Sequence, residues 1–556
     1  MHRCFVSCFI ALTLLALAPL VARADDSAAQ AFISEHEARV RPLEKAAGLA
    51  WWNANTTGKD EAFAAKEQAD NELDAALADK PRFERLKALK EGTIADPALR
   101  RQIDLLYLAY LRKQVDPQLL QRMTAKANEV EKAFNVYRAK GGDKELTDSQ
   151  VRETLQTSKD SKELQAVWEA SKGVGAKVEG DLKELVLLRN EAARRLGFDN
   201  FQTMMLTLNE QQPKQVLKLF DELDALTREP FRAAKADIDQ RLASRLGISV
   251  ADLRPWHYHD PFFQESPAVY ETDLDDAYRN ANVVELCRKY YAGLGLPIDD
   301  VLARSDLYEK PGKSPHAFCT DIDSEGDVRV LANVVPNEKW MGTMLHELGH
   351  SVYTSKNISR SVPYVLRGDA HTLCTEGYAM LMERGSKNAD FLAAMGVTVS
   401  DPAAFNAAGA RMQRNRLLVF SRWCQVMLRF EMGMYADPGQ DLNDLWWDLV
   451  EKYQLMTRPE GRNAPDYGSK IHIVSAPCYY HNYMLGQLFA SQVHHTIARE
   501  VLKAEPSGAL YVGHRDVGDF MKEKIFAPGR LYPWNDLTRR ITGEVLNAKA
   551  FAEDFK

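Results

Sequence analysis

Residues Trp340 to Tyr353 read WMGTMLHELGHSVY. The pattern predicts a helix: Met344, Leu345 and Leu348 supply an apolar packing face. His346 and His350 stand four residues apart, a spacing that puts both imidazoles on one side. Imidazole nitrogens suit zinc at about 2.0–2.1 Å. Glu347, one step from the first histidine, can sit beside a metal-bound water without coordinating the ion, the arrangement of a general base.

Reading upstream, His316 to Ile322 and Val328 to Val335 are short apolar-rich runs separated by the turn-forming DSEGD of residues 323–327. They predict a small β-hairpin, with a helix following from about Asn337. Reading downstream, Arg367 to Gly385 is RGDAHTLCTEGYAMLMERG. A catalytic zinc site needs a third protein ligand and an open position. Glu376, at the front of an apolar run, is the preferred third ligand from chemistry alone, with Glu383 and His371 as alternatives.

Most of the remaining chain carries helical periodicity. Pro97 to Lys140 has apolar residues at three-to-four spacing behind an Asp96–Pro97 start signal. Ser158 to Leu196 is similar, as is Val216 to Leu246, ended by Gly247. No fixed-period repeat and no long Pro/Gly/Ser linker divides the chain. One large helical domain is expected over residues 25–556, preceded by a signal peptide over residues 1–24. That leader is read from the apolar run Phe5 to Leu20 and the small-x-small pattern Ala22-Arg23-Ala24. It predicts a periplasmic or extracellular protein. No later stretch is long and apolar enough for a membrane anchor.

The 556 residues carry a formal charge of −7, with 45% apolar and 27% charged residues. That balance excludes the basic footprint of a nucleic-acid binder. Cys287, Cys319, Cys374, Cys424 and Cys478 are odd in number and widely spaced, so buried free thiols are expected rather than a disulfide framework or a thiolate metal site. His494 and His495 fall late in a polar stretch and are expected to face solvent. A monomer is expected.

Several segments, taken in order, resemble the peptidyl-dipeptidase A family of angiotensin-converting enzyme-like zinc metallopeptidases. They are Ala50 to Thr57 (AWWNANTT), Thr157 to Asn200 ending in LGFDN, His316-Ala317, Asp327-Val328-Arg329-Val330, the His346 helix, Arg367 to Gly377, Lys470-Ile471-His472-Ile473, and Pro533-Trp534 through Phe555. The resemblance implies a mainly α fold: a large two-lobed helical ellipsoid with a deep central cleft and a small β-hairpin beside the zinc helix. It implies a gluzincin-type peptidase that takes short peptides and releases C-terminal dipeptides. By position, His346, His350 and Glu376 bind Zn2+ and Glu347 is the general base. His316 and His472 hydrogen-bond the substrate or transition state, Ala317 offers backbone contacts, and Lys470 pairs with the substrate carboxylate.

The family's Tyr-x-x-Tyr meets APCYYHNY here. Ungapped counting gives Tyr479 and Asn482. One inserted residue gives Tyr480 for the carboxylate and Tyr483 for the oxyanion, which keeps the spacing on one helical face. The chain also departs from the family. The arginine within that motif is His481 or Asn482, so chloride dependence is not carried over. The acid four residues past the third ligand is Met380. A glutamine near the carboxylate pocket falls on Tyr258. A thimet-type oligopeptidase on the same fold is the runner-up, and a catalytically silent zinc-stabilised binding scaffold is the alternative of another class.

Overall fold

The computed structural model describes residues 7–142, 144–269 and 273–555, with side chains from residue 25 onward. Of the expected leader, residues 1–6 lie outside the described residues and residues 7–24 are described only as backbone of the first helix, Ser7–Thr57. Among the described residues no helix is long and apolar enough to cross a membrane.

The architecture is mainly α, with two small antiparallel sheets. The expected long helices form with the signals that predict them. Asp160 caps Ser161–Arg195. Pro213–Leu246 ends at Gly247, whose φ of 69° is a left-handed C-terminal stop. The stretch read as helical over Pro97–Lys140 is instead two helices, Pro97–Leu111 and Pro117–Val136. The break falls where Asp116 and Pro117 form a new start: proline disfavours helical backbone before it, and Asp116 Oδ1 accepts from Leu119 N at 2.9 Å. Beyond the second helix lies a hairpin that the periodicity did not predict, Ala139–Gly141 against Lys144–Leu146.

The hairpin beside the histidine helix pairs Phe318–Asp321 with Val328–Leu331, in register Cys319 to Val330. Its turn contains Gly326 at φ 101°, a conformation that needs glycine. The helix Glu338–Val352 follows, capped by Asn337 Oδ1 accepting from Trp340 N at 2.8 Å. It buries Met341, Met344, Leu345, Leu348 and Val352 completely.

Two further helices stack on that one at small residues. A methyl group at Gly349 would lie 3.1 Å from Ala379 Cα on the helix Thr372–Glu383. A methyl group at Gly377 would lie 2.5 Å from the Gly486 carbonyl oxygen on the helix His481–Thr496. These crossings set how far Glu376 stands from the histidines on one side and from Tyr483 on the other.

His494 and His495 are buried, contrary to expectation. The C-terminal segment folds back over their helix. His494 Nδ1 meets Tyr511 OH at 2.5 Å, and His495 Nε2 meets Asp554 Oδ1 at 2.9 Å. All five described cysteines are free, and four are buried.

Gly377→Ala forces an overpacked helix crossing, which costs about 1–3 kcal/mol. Its thermal-unfolding midpoint is expected to fall clearly below wild type; an unchanged midpoint would mean the crossing can open freely.

Candidate metal centre and adjoining cavity

His346 and His350 project from one face of the capped helix, and Glu376 reaches them from the neighbouring helix. His346 Nε2 and His350 Nε2 are 3.2 Å apart, and Glu376 Oε2 lies 3.5 Å from the first and 3.9 Å from the second. Donors bound at about 2.0–2.1 Å around a tetrahedral zinc stand roughly 3.3 Å from one another. The spacing of these three atoms therefore suits a zinc ion.

The far side of each ring is also engaged. His346 Nδ1 faces Glu383 Oε2 at 3.2 Å, and His350 Nδ1 faces Thr375 Oγ1 at 2.8 Å. Each imidazole thus has a partner at Nδ1 and turns Nε2 toward the shared point, the usual outer support of a metal-binding histidine. Of the alternatives weighed for third ligand, Glu383 meets the outer nitrogen of His346 rather than the convergent one. His371 caps its own helix instead, with Nε2 on the Asn209 carbonyl at 2.8 Å.

The electrostatics fit a cation. Burial opposes charge on His346, but Glu376 and Glu383 outweigh it and raise its pKa to about 10. Burial, helped by the His346 charge, pushes His350 down to about 4. The two rings thus share one positive charge among acidic neighbours. Glu347 is buried beside them, and burial pushes its carboxyl up to about 7. Its carboxylate accepts a hydrogen bond from the Cys319 N–H on the hairpin edge.

A cavity of about 600 Å³ opens from the cluster. His346, Glu376, Tyr483 and Gln264 all line it. Gln264 Oε1 accepts from Lys470 Nζ, which is buried and lowered by that burial to about 8. The Lys470 ammonium lies 5.4 Å from the Tyr480 ring centroid and 5.3 Å from that of Trp423. Gln264 is held by a turn in which the buried Asp260 carboxylate accepts from Phe262 N at 2.8 Å, Gln264 N at 3.1 Å and Glu265 N at 3.3 Å.

Sequence reading missed Gln264. Tyr258, the position assigned to a family glutamine, lies elsewhere: its hydroxyl bonds Lys235 at 2.7 Å and Asp239 at 2.9 Å. The signal was present in the QE pair six residues on, but the register was not.

The tyrosines enter from a strained turn. Cys478 has φ 60°, unusual for a non-glycine residue, and its N–H donates to the buried Glu431 Oε1 at 2.8 Å. Behind it, the Tyr480 ring packs 4.8 Å from His472 and 5.4 Å from Tyr483. Tyr479 packs 5.4 Å from Tyr483 on its other side. His472 is pushed down to about 4 by burial and is neutral at pH 7; its Nδ1 is buried with no hydrogen-bond partner among the described residues. His316 is exposed just before the hairpin, and Ala317 is half-buried at the start of the strand.

The family model Peptidase_M2, described as angiotensin-converting enzyme, matches residues 23–242 and 258–556. The chain is 19% identical over 543 residues to angiotensin-converting enzyme of Theromyzon tessulatum, covering 91% of this chain and 87% of that one. It is 21% identical over 460 residues to angiotensin-converting enzyme of Rattus norvegicus, covering 74% of this chain and 33% of the relative. For the Mus musculus enzyme the figures are 23% over 317 residues, 52% and 23%. The chain thus spans most of the Theromyzon protein and a third or less of the other two.

Thr375→Val keeps the side-chain shape and removes the hydroxyl that faces His350 Nδ1. Zinc affinity, measured by competition with a fluorescent chelator, is expected to fall about 10–100-fold. Wild-type affinity would show that the hydroxyl does not orient the ring.

Proposed function

The chain belongs to the Peptidase_M2 family, that of angiotensin-converting enzyme, and from that premise we propose that it is a zinc-dependent peptidase releasing dipeptides from the C-termini of short peptides. One observation carries the reading: Gln264, whose amide oxygen accepts from the buried Lys470 ammonium, lines the same cavity as His346 and Glu376. The Lys470 ammonium lies 5.4 Å from the Tyr480 ring centroid, that ring lies 5.4 Å from the Tyr483 ring, and Tyr483 lines the cavity with Glu376. In this reading the substrate carboxylate sits at Lys470 and the scissile bond, two residues along, at the cluster.

In this reading His346, His350 and Glu376 hold the zinc. When bound there, zinc would supply Lewis-acid chemistry, polarising the scissile carbonyl and acidifying a water. Glu347 takes the proton of that water and passes it to the leaving amine. Burial raises its carboxyl above the usual carboxylate range, the direction a general base needs. The Tyr483 hydroxyl, with His472, donates to the developing oxyanion. Lys470, Gln264 and Tyr480 hold the terminal carboxylate. Ala317 and His316, leading into the hairpin, supply contacts to the peptide backbone. A signal peptide cut after Ala24 would export the enzyme.

The reading is tested with a fluorogenic peptide in two forms, C-terminally free and C-terminally amidated, each with and without chelator. Chelator-sensitive cleavage of the free form alone is expected. Equal cleavage of both forms would replace dipeptide release with oligopeptidase action, and zinc binding without cleavage would make the protein a scaffold. Glu347→Gln is expected to retain stoichiometric zinc and lose turnover; retained activity would remove Glu347 as the base. Tyr483→Phe is expected to lower kcat about 10²–10³-fold with little change in KM. A raised KM at constant kcat would assign Tyr483 to ground-state binding instead.

A further inference from the structure

Met380 stands four residues beyond Glu376, one helical turn along the same face. Met380 is buried in the cavity wall and offers His346 no hydrogen-bond acceptor comparable to a carboxylate. Glu383, seven residues beyond Glu376, lies two turns along on the same helical face. One of its oxygens, Oε2, is 3.2 Å from His346 Nδ1. The other, Oε1, accepts from Arg416 Nη2 at 2.9 Å. Arg416 comes from a separate helix, Pro402–Ala436.

We propose that Arg416 is a positioning residue of the metal centre: it clamps Glu383, and Glu383 fixes the ring plane and tautomer of His346. The inference rests on the metal-ligand set proposed above and concerns what holds that set in place.

Two physical arguments support it. The first is geometric. His346 presents a lone pair at Nε2 only if its proton sits on Nδ1, and that proton needs an acceptor at a fixed place. Glu383 reaches Nδ1 from further along its helix than position 380, on a flexible side chain with three rotatable bonds. An anchor on its second oxygen, from an independent helix, removes that freedom.

The second argument is charge balance. Glu347, Glu376 and Glu383 bring three carboxylates from two helices around a site for one dication. Drawing the orienting acid from position 383 places a third negative charge in a buried setting, and burying an uncompensated charge is costly. The Arg416 guanidinium supplies the balancing charge. Lys387, the other cation at that end of the cavity, is already paired with Glu338 Oε1 at 2.5 Å.

The test uses the full chain and zinc itself. Zinc affinity is measured by chelator competition for wild type, Arg416→Met, Glu383→Gln, the double variant and Arg416→Lys. Arg416→Met and Glu383→Gln are each expected to weaken zinc about 10–100-fold. The double variant is expected to bind no more weakly than Glu383→Gln alone, because Arg416 acts through Glu383. Arg416→Lys, which keeps the charge, is expected to recover most of the loss. Unfolding midpoints in chelator report the metal-free fold separately, so lost affinity at an unchanged midpoint marks positioning rather than general destabilisation. Arg416→Met within twofold of wild type, or losses that add in the double variant, would overturn the proposal. A wild-type chain that binds no zinc would instead overturn the metal-site reading beneath it.

Discussion

Three helices meet with almost no space between their backbones, and the arrangement of the site follows from that. Gly349 lies against Ala379, and Gly377 lies against Gly486. A methyl group at Gly377 would collide with the Gly486 carbonyl at 2.5 Å, and one at Gly349 would press on Ala379 at 3.1 Å. The first crossing brings the Glu376 carboxylate within 4 Å of both Nε2 atoms. The second brings Tyr483 to the same cavity wall. The apolar face of the histidine helix, Met341, Met344, Leu345, Leu348 and Val352, anchors the stack in the core. Burial of such side chains contributes on the order of 1.5–3 kcal/mol each, so the core offsets the cost of concentrating charge beside it.

That charge is considerable. Two imidazoles and three carboxylates share a buried region, and each of their groups has a counterpart. Glu383 holds one ring and is held by Arg416; Thr375 holds the other ring; the Cys319 N–H bonds Glu347. A second polar set forms around Lys470, where Asp260 organises the turn that presents Gln264. Gln264 of the second set lines the same cavity as His346 and Glu376 of the first; the first set is built mainly on helices and the second on turns.

The sequence made some of this legible because the determinants are local. The Asn337 cap, the apolar period of the histidine helix and the DSEGD turn each act within a few residues, and the elements they predict are present. The break at Asp116-Pro117 was local too, but an apolar period continuing on both sides masked it. What could not be read depended on distant partners. His494 and His495 look like surface residues until Tyr511 and Asp554 fold over them. Gln264 follows the stretch 243–257, which the family model leaves unmatched, and the register assigned there fell on Tyr258. Glu383 was a candidate ligand by residue type. Only the pitch of its helix shows that it reaches the outer nitrogen of His346, and only the fold brings Arg416 to it.

The central claim is that two imidazoles and one carboxylate converge on a single zinc ion. X-ray absorption at the zinc edge of the purified protein tests it most directly. The account predicts nitrogen and oxygen donors at about 2.0–2.1 Å with the scattering signature of two imidazoles. A sulfur donor at about 2.3 Å, or fewer than two imidazoles, would contradict it.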